Sequence, residues 1–317
     1  MSRATEHPSE DIIPLTIAIP AYNRSNAVTA LLKTICAQAT PEDEVIVSDD
    51  GSTDGTAEQA STIPGVRVIR HEKNQGMVAN WNACLTAASR EWICIIHDDD
   101  RLEPGALDAL RRACALASGP AVIMHRYAGS SFDAGFRYSY SESSAGTVLS
   151  CPEIPSGAVL RRDIIEAVGL FDPRFKYSAD LEYFPRIAAR FPLIVIESPR
   201  IIEYRLHGAN YQFQTWGEAD FYDQLEELGR SIISHAGVQD ERLRREILDN
   251  RLVGGLLYML NRADQIGDRR LVRQVGKLCQ KFRHRLSARQ RVMTSIAAMT
   301  GWRPRRHRVK RLESLQN

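Results

Sequence analysis

Long apolar runs are missing from this 317-residue chain. No stretch approaches the roughly 20 residues that a membrane-spanning helix requires. Residues Met1 to Pro14 are polar and partly acidic, without the basic start and apolar centre of a secretory signal. The expectation is a cytoplasmic protein that does not cross a membrane and is not exported by such a signal. The six cysteines (Cys36, Cys84, Cys94, Cys114, Cys151 and Cys279) include no C-x-x-C pair. Most sit in apolar, periodic surroundings, which fits reduced and buried thiols. No internal repeat or low-complexity run is present. What remains is ordinary globular material, 44% hydrophobic and 25% charged. The length suffices for one large domain or two modest ones, with a core that needs no staples.

The net charge of +2 hides an asymmetry. From Asp268 to Asn317 there are 15 Lys and Arg against two acids, a net +13; the preceding 267 residues hold 26 basic and 37 acidic side chains, a net −11. An acidic body therefore carries a basic tail, which asks for its own explanation.

Short apolar runs alternate with helical patterns through the first third. Leu15–Pro20, Glu44–Ser48, Gly65–Ile69 and Trp92–Ile96 read as buried strands. Ser25–Gln38, Thr53–Ile63, Met77–Ala88 and Pro104–Ala117 read as helices between and after them. Such alternation with short connections predicts an α/β fold with a mostly parallel sheet and helices on both faces. The middle, from Ala121 to Arg205, holds strand-like pieces at 121–124, 194–196 and 201–204. Helices are expected at Arg162–Val168 and Ala179–Arg190, the latter starting near Pro185 or kinked there. Long helical patterns follow at Glu218–Ala236 and Glu241–Ala263, then at the spacing of Leu271, Val275, Leu278, Phe282 and Leu286. The expected boundary is near residue 212. Residues 1–212 form the catalytic domain, with a nucleotide-binding half at 14–115 and an acceptor half at 116–212. Residues 213–317 form a helical extension.

Ligands of open α/β sheets bind beyond the carboxyl ends of the strands. Three such ends here are unusually polar: Pro20 to Arg24, Ser48 to Asp54, and His97 to Asp100. Three successive aspartates, Asp98, Asp99 and Asp100, repel one another unless a divalent cation removes the cost, and such cations take oxygen ligands readily. By itself the triplet fits a solvated acidic turn equally well. Asp49 and Asp50 tip the balance, since capping the next helix needs neither, and a carboxylate at a strand end can hold a base or ribose.

Ile19-Pro20-Ala21-Tyr22-Asn23-Arg24, Ser48 to Thr56, Asn74-Gln75-Gly76 with Asn80-Trp81-Asn82, and His97 to Asp100 with Pro104 follow in an order and spacing that resembles family 2 glycosyltransferases of the GT-A fold. The resemblance covers roughly residues 14 to 210. It implies that Pro20, Tyr22 and Arg24 line a nucleotide site, that Asp49 and Asp50 lie at the base or ribose, and that Asn82 is close to the nucleotide. Aligned on Pro104, His97 stands where the family's first motif aspartate often stands. Asp99 is then the foremost metal ligand, Asp100 a second, and Asp98 faces ribose or metal. His97 reads as a strand-end histidine bonded to backbone. The resemblance also places Asp180 as the general base that takes the acceptor's proton. Ala179 replaces the usual glutamate before it. Glu182 falls on the later acidic position. Gly169 to Asp172 matches the segment upstream, with Asp172 a turn former, and Ser156 to Ala158 is assigned to the acceptor wall. His207 matches a histidine that completes the metal shell or touches the diphosphate. Tyr211, Phe213 and Trp216 fit sugar stacking or packing.

The implied activity is an inverting, hexosyl-type transfer in surface polysaccharide synthesis, dependent on Mn²⁺ or Mg²⁺. A nucleotide-diphosphate sugar, UDP-linked foremost, is the donor, and a glycan or lipid-linked molecule the acceptor. The basic tail fits an anionic membrane surface, which would make the protein peripheral at the inner face of the cell membrane; a helix packed on the body with a solvated basic face fits as well. A nucleotidyltransferase would need a Gly-rich, Arg- or Lys-bearing loop after the first strand, and Ala21 to Arg24 is not one. A nucleic-acid-binding protein would explain the tail and leave the four acidic motifs idle, so no nucleic acid partner is expected.

Overall fold

The computed structural model describes residues 12–126, 135–144, 147, 156–176, 178–203, 221–249, 253–265 and 267–301. Among the described residues ten strands appear in chain order: β1 Leu15–Ala21, β2 Glu44–Asp49, β3 Val66–Arg70, β4 Trp92–Ile95, β5 Arg101–Leu102, β6 Val122–His125, β7 Arg137–Ser141, β8 Ala158–Arg161, β9 Leu193–Ser198 and β10 Ile202–Glu203. Eight of them form one sheet in the order β3-β2-β1-β4-β8-β6-β9-β7. The pairs β1/β2, β1/β4, β2/β3 and β6/β9 are parallel. β8 enters antiparallel to both β4 and β6, and β7 lies antiparallel to β9 at the edge. β5 and β10 make a separate antiparallel pair.

β1 is buried along its whole length, as a strand covered on both faces must be. Leu15, Ile17 and Ile19 join one core with Val28, Leu31, Leu32 and Ile35 of helix Ser25–Cys36 and with Leu107 and Leu110 of helix Ala106–Ala115. Alternation at period two sends Ala18 the other way, where helix Met77–Ala87 packs on β1 and β2 through Val78, Trp81, Cys84 and Leu85. The architecture is an α/β GT-A fold followed by several helices.

Helix Thr56–Ser61 begins three residues later than its apolar pattern suggested. Asp54 is the reason. Its Oδ1 accepts from the Thr56 N–H at 3.0 Å, and its Oδ2 accepts from the Ser25 N–H at 3.0 Å, so residues 53–55 stay in the loop. Helix Ala179–Ala188 runs through Pro185 instead of starting there. Its buried Tyr183, Phe184 and Ile187 outweigh the one missing backbone bond. β7 was not expected, because four of its five residues are exposed and it carries no aliphatic side chain.

The chain divides into two compact units, residues 1–207 with 234–238, and residues 208–233 with 239–317. The expected boundary near residue 212 lies outside the described residues. In the second unit the 241–263 pattern is two helices, Glu241–Asp249 and Gly255–Gln265. Helix Arg269–Lys281 starts at Asp268, whose Oδ1 accepts from the Leu271 N–H at 2.9 Å. It ends well before Leu286, and a further helix, Ala288–Thr300, starts with a capping box between Ser287 and Gln290. These two helices touch at Gly276, where a Cβ would sit 2.5 Å from the Ala298 nitrogen; only glycine permits that approach.

Candidate active site

The polar strand ends meet at one edge of the sheet. The loops after β1 and β2 are laced together. The Asn23 N–H donates to Ser52 Oγ at 2.8 Å, the Arg24 N–H to Thr56 Oγ1 at 3.0 Å, and the Thr53 N–H returns to Asn23 Oδ1 at 2.9 Å. Asn23 takes a φ of 51°, a left-handed conformation asparagine tolerates. This lacing holds Tyr22 outward, 45% exposed, at the mouth of the site. Pro20 is buried beneath it and pairs in register with Ser48.

Asp49 and Asp50 are both buried. Asp50 holds the next loop: its Oδ1 accepts from the Gln75 N–H at 2.8 Å and its Oδ2 from the Gly76 N–H at 2.9 Å. Asp49 Oδ2 accepts from the Ser52 N–H at 3.1 Å and lies 3.8 Å from Arg70 Nε. Its Oδ1 is buried with no hydrogen-bond partner among the described residues. Of the two carboxylates, Asp49 therefore has the oxygen to spare. Gly51, with φ of 72°, lets this turn approach the Lys73 backbone, where a Cβ would lie 2.7 Å away. A groove lined by Gly51, Ser52, Thr53, Arg70, His71 and Glu72 opens beside it.

Beyond β4, His97, Asp99 and Asp100 each bring one ligand atom within 4.8 Å of the others. This is the cluster that could hold a divalent metal, and it includes His97, which sequence reasoning had given only a structural part. His97 Nε2 is buried with no hydrogen-bond partner among the described residues. Burial pushes the imidazole's pKa below its ordinary value, against the pull of the Asp99 charge, which favours the neutral form that ligates metal. Its backbone N–H donates to Ser156 Oγ at 3.0 Å, and its ring stacks on Trp81 with centroids 5.1 Å apart. The signal for His97 was its place directly before the triplet. Histidine fits manganese, while oxygen ligands suit magnesium too.

Asp98 is not a member of this trio. Burial, aided by the charge of Asp99, pushes its carboxyl up to about 7, while the Arg24 charge and the Tyr22 N–H, 3.4 Å from Oδ2, pull the other way. It faces the β1 loop. Asn82 has both ends of its amide on Phe171: Nδ2 donates to the Phe171 carbonyl at 2.9 Å, and Oδ1 accepts from the Phe171 N–H at 2.9 Å.

Asp180 is the second residue of helix Ala179–Ala188, whose N-cap is Ser178. The helix N-terminus favours its negative charge. Glu182 serves a different purpose from Asp180. It is fully buried and pairs with Arg186 through Nε–Oε1 at 2.9 Å and Nη2–Oε2 at 3.1 Å. Asp172 accepts from the Arg174 N–H at 2.9 Å, the turn role expected of it. Ser156 and Gly157 lead into β8, beside β4. His207, Tyr211, Phe213 and Trp216 lie outside the described residues.

Residues 16–169 match the family model described as "Glycosyl transferase family 2". The match covers just under half of the chain, and over that stretch the sequence is similar to this family. Curated proteins similar to this chain include the Mycobacterium tuberculosis protein MT1568, 40% identical over 100 residues, or 31% of each chain. The succinoglycan biosynthesis protein ExoO of Rhizobium meliloti is 34% identical over 108 residues, 33% of this chain and 30% of that one. The matched stretch thus spans about a third of each relative. Among solved structures, S. aureus TarS 1-349 superposes with a TM-score of 0.61 at 18% identity, covering 90% of this chain and 86% of that one. The same protein in complex with UDP-GlcNAc gives 0.62 at 16% identity, covering 90% and 87%. At these identities the likeness is one of fold. No helix among the described residues is long and apolar enough to cross a membrane.

Proposed function

We propose that this glycosyltransferase moves a sugar from a nucleotide-diphosphate donor, UDP-linked foremost, to a glycan or lipid-linked acceptor in surface polysaccharide synthesis, with inversion at the anomeric carbon. The observation that carries the reading is the His97, Asp99 and Asp100 cluster at the carboxyl end of β4, beside the outward Tyr22 and the Arg24 charge. A UDP-GlcNAc complex of a protein of the same fold and a relative named for succinoglycan biosynthesis support the donor and the pathway class.

In this reading Tyr22 stacks on the base, and the spare oxygen of Asp49 accepts from base or ribose. Arg24 and the cluster face the diphosphate. A divalent ion held by Asp99 and Asp100, with His97 and the proposed His207, would offset the negative charge that develops on the leaving nucleotide diphosphate. Asp180 takes the proton from the acceptor hydroxyl. The acceptor oxygen forms its bond to the anomeric carbon as the bond from that carbon to the phosphate oxygen breaks, and the bonding pair leaves with the diphosphate.

The second unit supports a membrane-facing role at an anionic surface. No acidic residue occurs from Arg269 to Gly301, and Arg269, Arg270, Arg273, Lys277 and Lys281 are exposed. On the last helix Val292 is 61% and Met299 71% exposed, two turns apart on one face. Exposed cations and exposed apolar side chains on the same unit suit a lipid interface better than a nucleic acid. Sedimentation with anionic vesicles, lost in a Val292→Ser, Met299→Ser variant, supports this; equal sedimentation of both proteins overturns it.

For the transfer itself, a panel of nucleotide sugars is offered with Mn²⁺ or Mg²⁺ and donor hydrolysis followed. Hydrolysis of one donor by the wild type and its loss in Asp99→Ala is expected. Equal turnover by the two proteins would end the reading.

A further inference from the structure

We infer that Asn82 is a positioning residue of the transfer reaction, which ties the nucleotide side of the site to the helix bearing Asp180, and is not a ligand of the nucleotide. The inference rests on Asp180 being the base.

Both ends of the Asn82 amide are matched to the two backbone polar groups of one residue, Phe171, 89 positions away, each at 2.9 Å. A side chain used in this way mimics one rung of a β-ladder. It fixes the Phe171 backbone in place and in orientation. A ligand contact would need only one of these groups and would not select this geometry.

Rings reinforce the same joint. Trp81, the residue before Asn82, stacks on His97 and meets the Phe171 ring edge-on at 5.1 Å. The Phe171 ring then lies 4.0 Å from Tyr183. Phe171 is thereby held from the nucleotide side by hydrogen bonds and a ring, and from the other side by the helix Ala179–Ala188.

That helix grips the same turn a second time. Tyr183 Oη donates to the Gly169 carbonyl at 3.0 Å, Arg186 Nη2 to the Leu170 carbonyl at 3.0 Å, and Arg186 Nη1 to the Val168 carbonyl. Glu182 holds the guanidinium in line for this. Residues 168–171 are consequently a clasp, with Asn82 on one side and the Asp180 helix on the other. The side chains that grip the turn, Asn82, Trp81, Tyr183 and Arg186, are all buried or half-buried, so loosening one end shifts the whole joint. A displacement of the base by about 1 Å costs on the order of 10²-fold in rate.

The test uses the full chain and three readouts on Asn82→Ala: UDP affinity with Mn²⁺, turnover of UDP-GlcNAc with water as acceptor, and amide exchange across residues 179–188 in the ligand-free protein. The expected result is a UDP dissociation constant within about twofold of wild type, kcat lower by about 10- to 100-fold, and faster exchange in the helix. A UDP constant weakened about tenfold or more with kcat retained would make Asn82 a nucleotide ligand and overturn the inference. Unchanged exchange and unchanged kcat would overturn it as well. Asn82→Asp keeps the acceptor for the Phe171 N–H and serves if the alanine variant does not fold; it should fall between the two. If the wild type binds no UDP, the donor reading fails, and the exchange measurement alone decides this inference.

Discussion

Replacing Arg186 by methionine should be among the most damaging single changes in the first unit. Arg186 is 5% exposed and Glu182 0%. The guanidinium donates to both Glu182 oxygens and to the carbonyls of Val168 and Leu170. Methionine keeps much of the stem and none of the donors. Glu182 would lose its bidentate partner, and His235, with Nδ1 at 3.8 Å, is too far to replace it by a hydrogen bond. Removing one partner of a buried pair costs about 3–5 kcal/mol. At about 2–4 °C per kcal/mol for a domain of this size, the melting temperature should fall by about 6–20 °C. Arg186→Lys keeps the charge without the fork and should fall between. Urea unfolding followed by tryptophan fluorescence measures the loss. A double variant, Glu182→Gln with Arg186→Met, should be less damaged than the sum of its parts, because the neutral amide no longer needs the cation. A loss below about 1 kcal/mol for Arg186→Met would refute the argument, since that is what an exposed pair is worth.

Other expectations follow from the same geometry. Asp180→Asn should fold normally and bind donor, yet lose about 10²- to 10⁴-fold in transfer, as a positioned base does; retained transfer or lost donor binding would count against it. Asp50→Ala leaves the N–H groups of Gln75 and Gly76 without their carboxylate and should cost about 2–4 kcal/mol by thermal unfolding, with faster amide exchange in residues 74–76. Burial pushes the Cys84 and Cys94 thiols up to about 12. At pH 8 their thiolate fraction is then about 10⁻⁴, so a disulfide reagent should modify the exposed Cys36 and spare both until the protein unfolds.

The sheet was legible where burial on both faces made the strands continuous apolar runs, as in β1, β2 and β4. β7 and β8 were not. β7 is exposed, and β8 is a four-residue strand whose antiparallel place between β4 and β6 no local pattern encodes. The acidic strand ends announced a candidate site, because Asp49 and Asp50 exceed what capping the next helix requires and so gave weight to the triplet Asp98 to Asp100. How each carboxylate is used was less visible. Asp50 and Asn82 look like ligand contacts in one dimension; their bonds to Gln75, Gly76 and Phe171 depend on loops brought together only by folding. His97 shows the reverse, a residue with a plain local explanation that the fold places in the acidic cluster. The long C-terminal pattern hid a break after Lys281 and the helix from Ala288, whose partly polar face weakens its periodicity.

The account stands on His97, Asp99 and Asp100 forming a metal-dependent nucleotide site. Calorimetric titration of UDP into the wild type and Asp99→Ala, each with Mn²⁺ and with chelator, tests it most directly. The account predicts binding by the wild type that requires the metal and that weakens by about tenfold or more in the variant, one lost charge-assisted ligand being worth upwards of 1.4 kcal/mol. Equal affinity in all four titrations would contradict it.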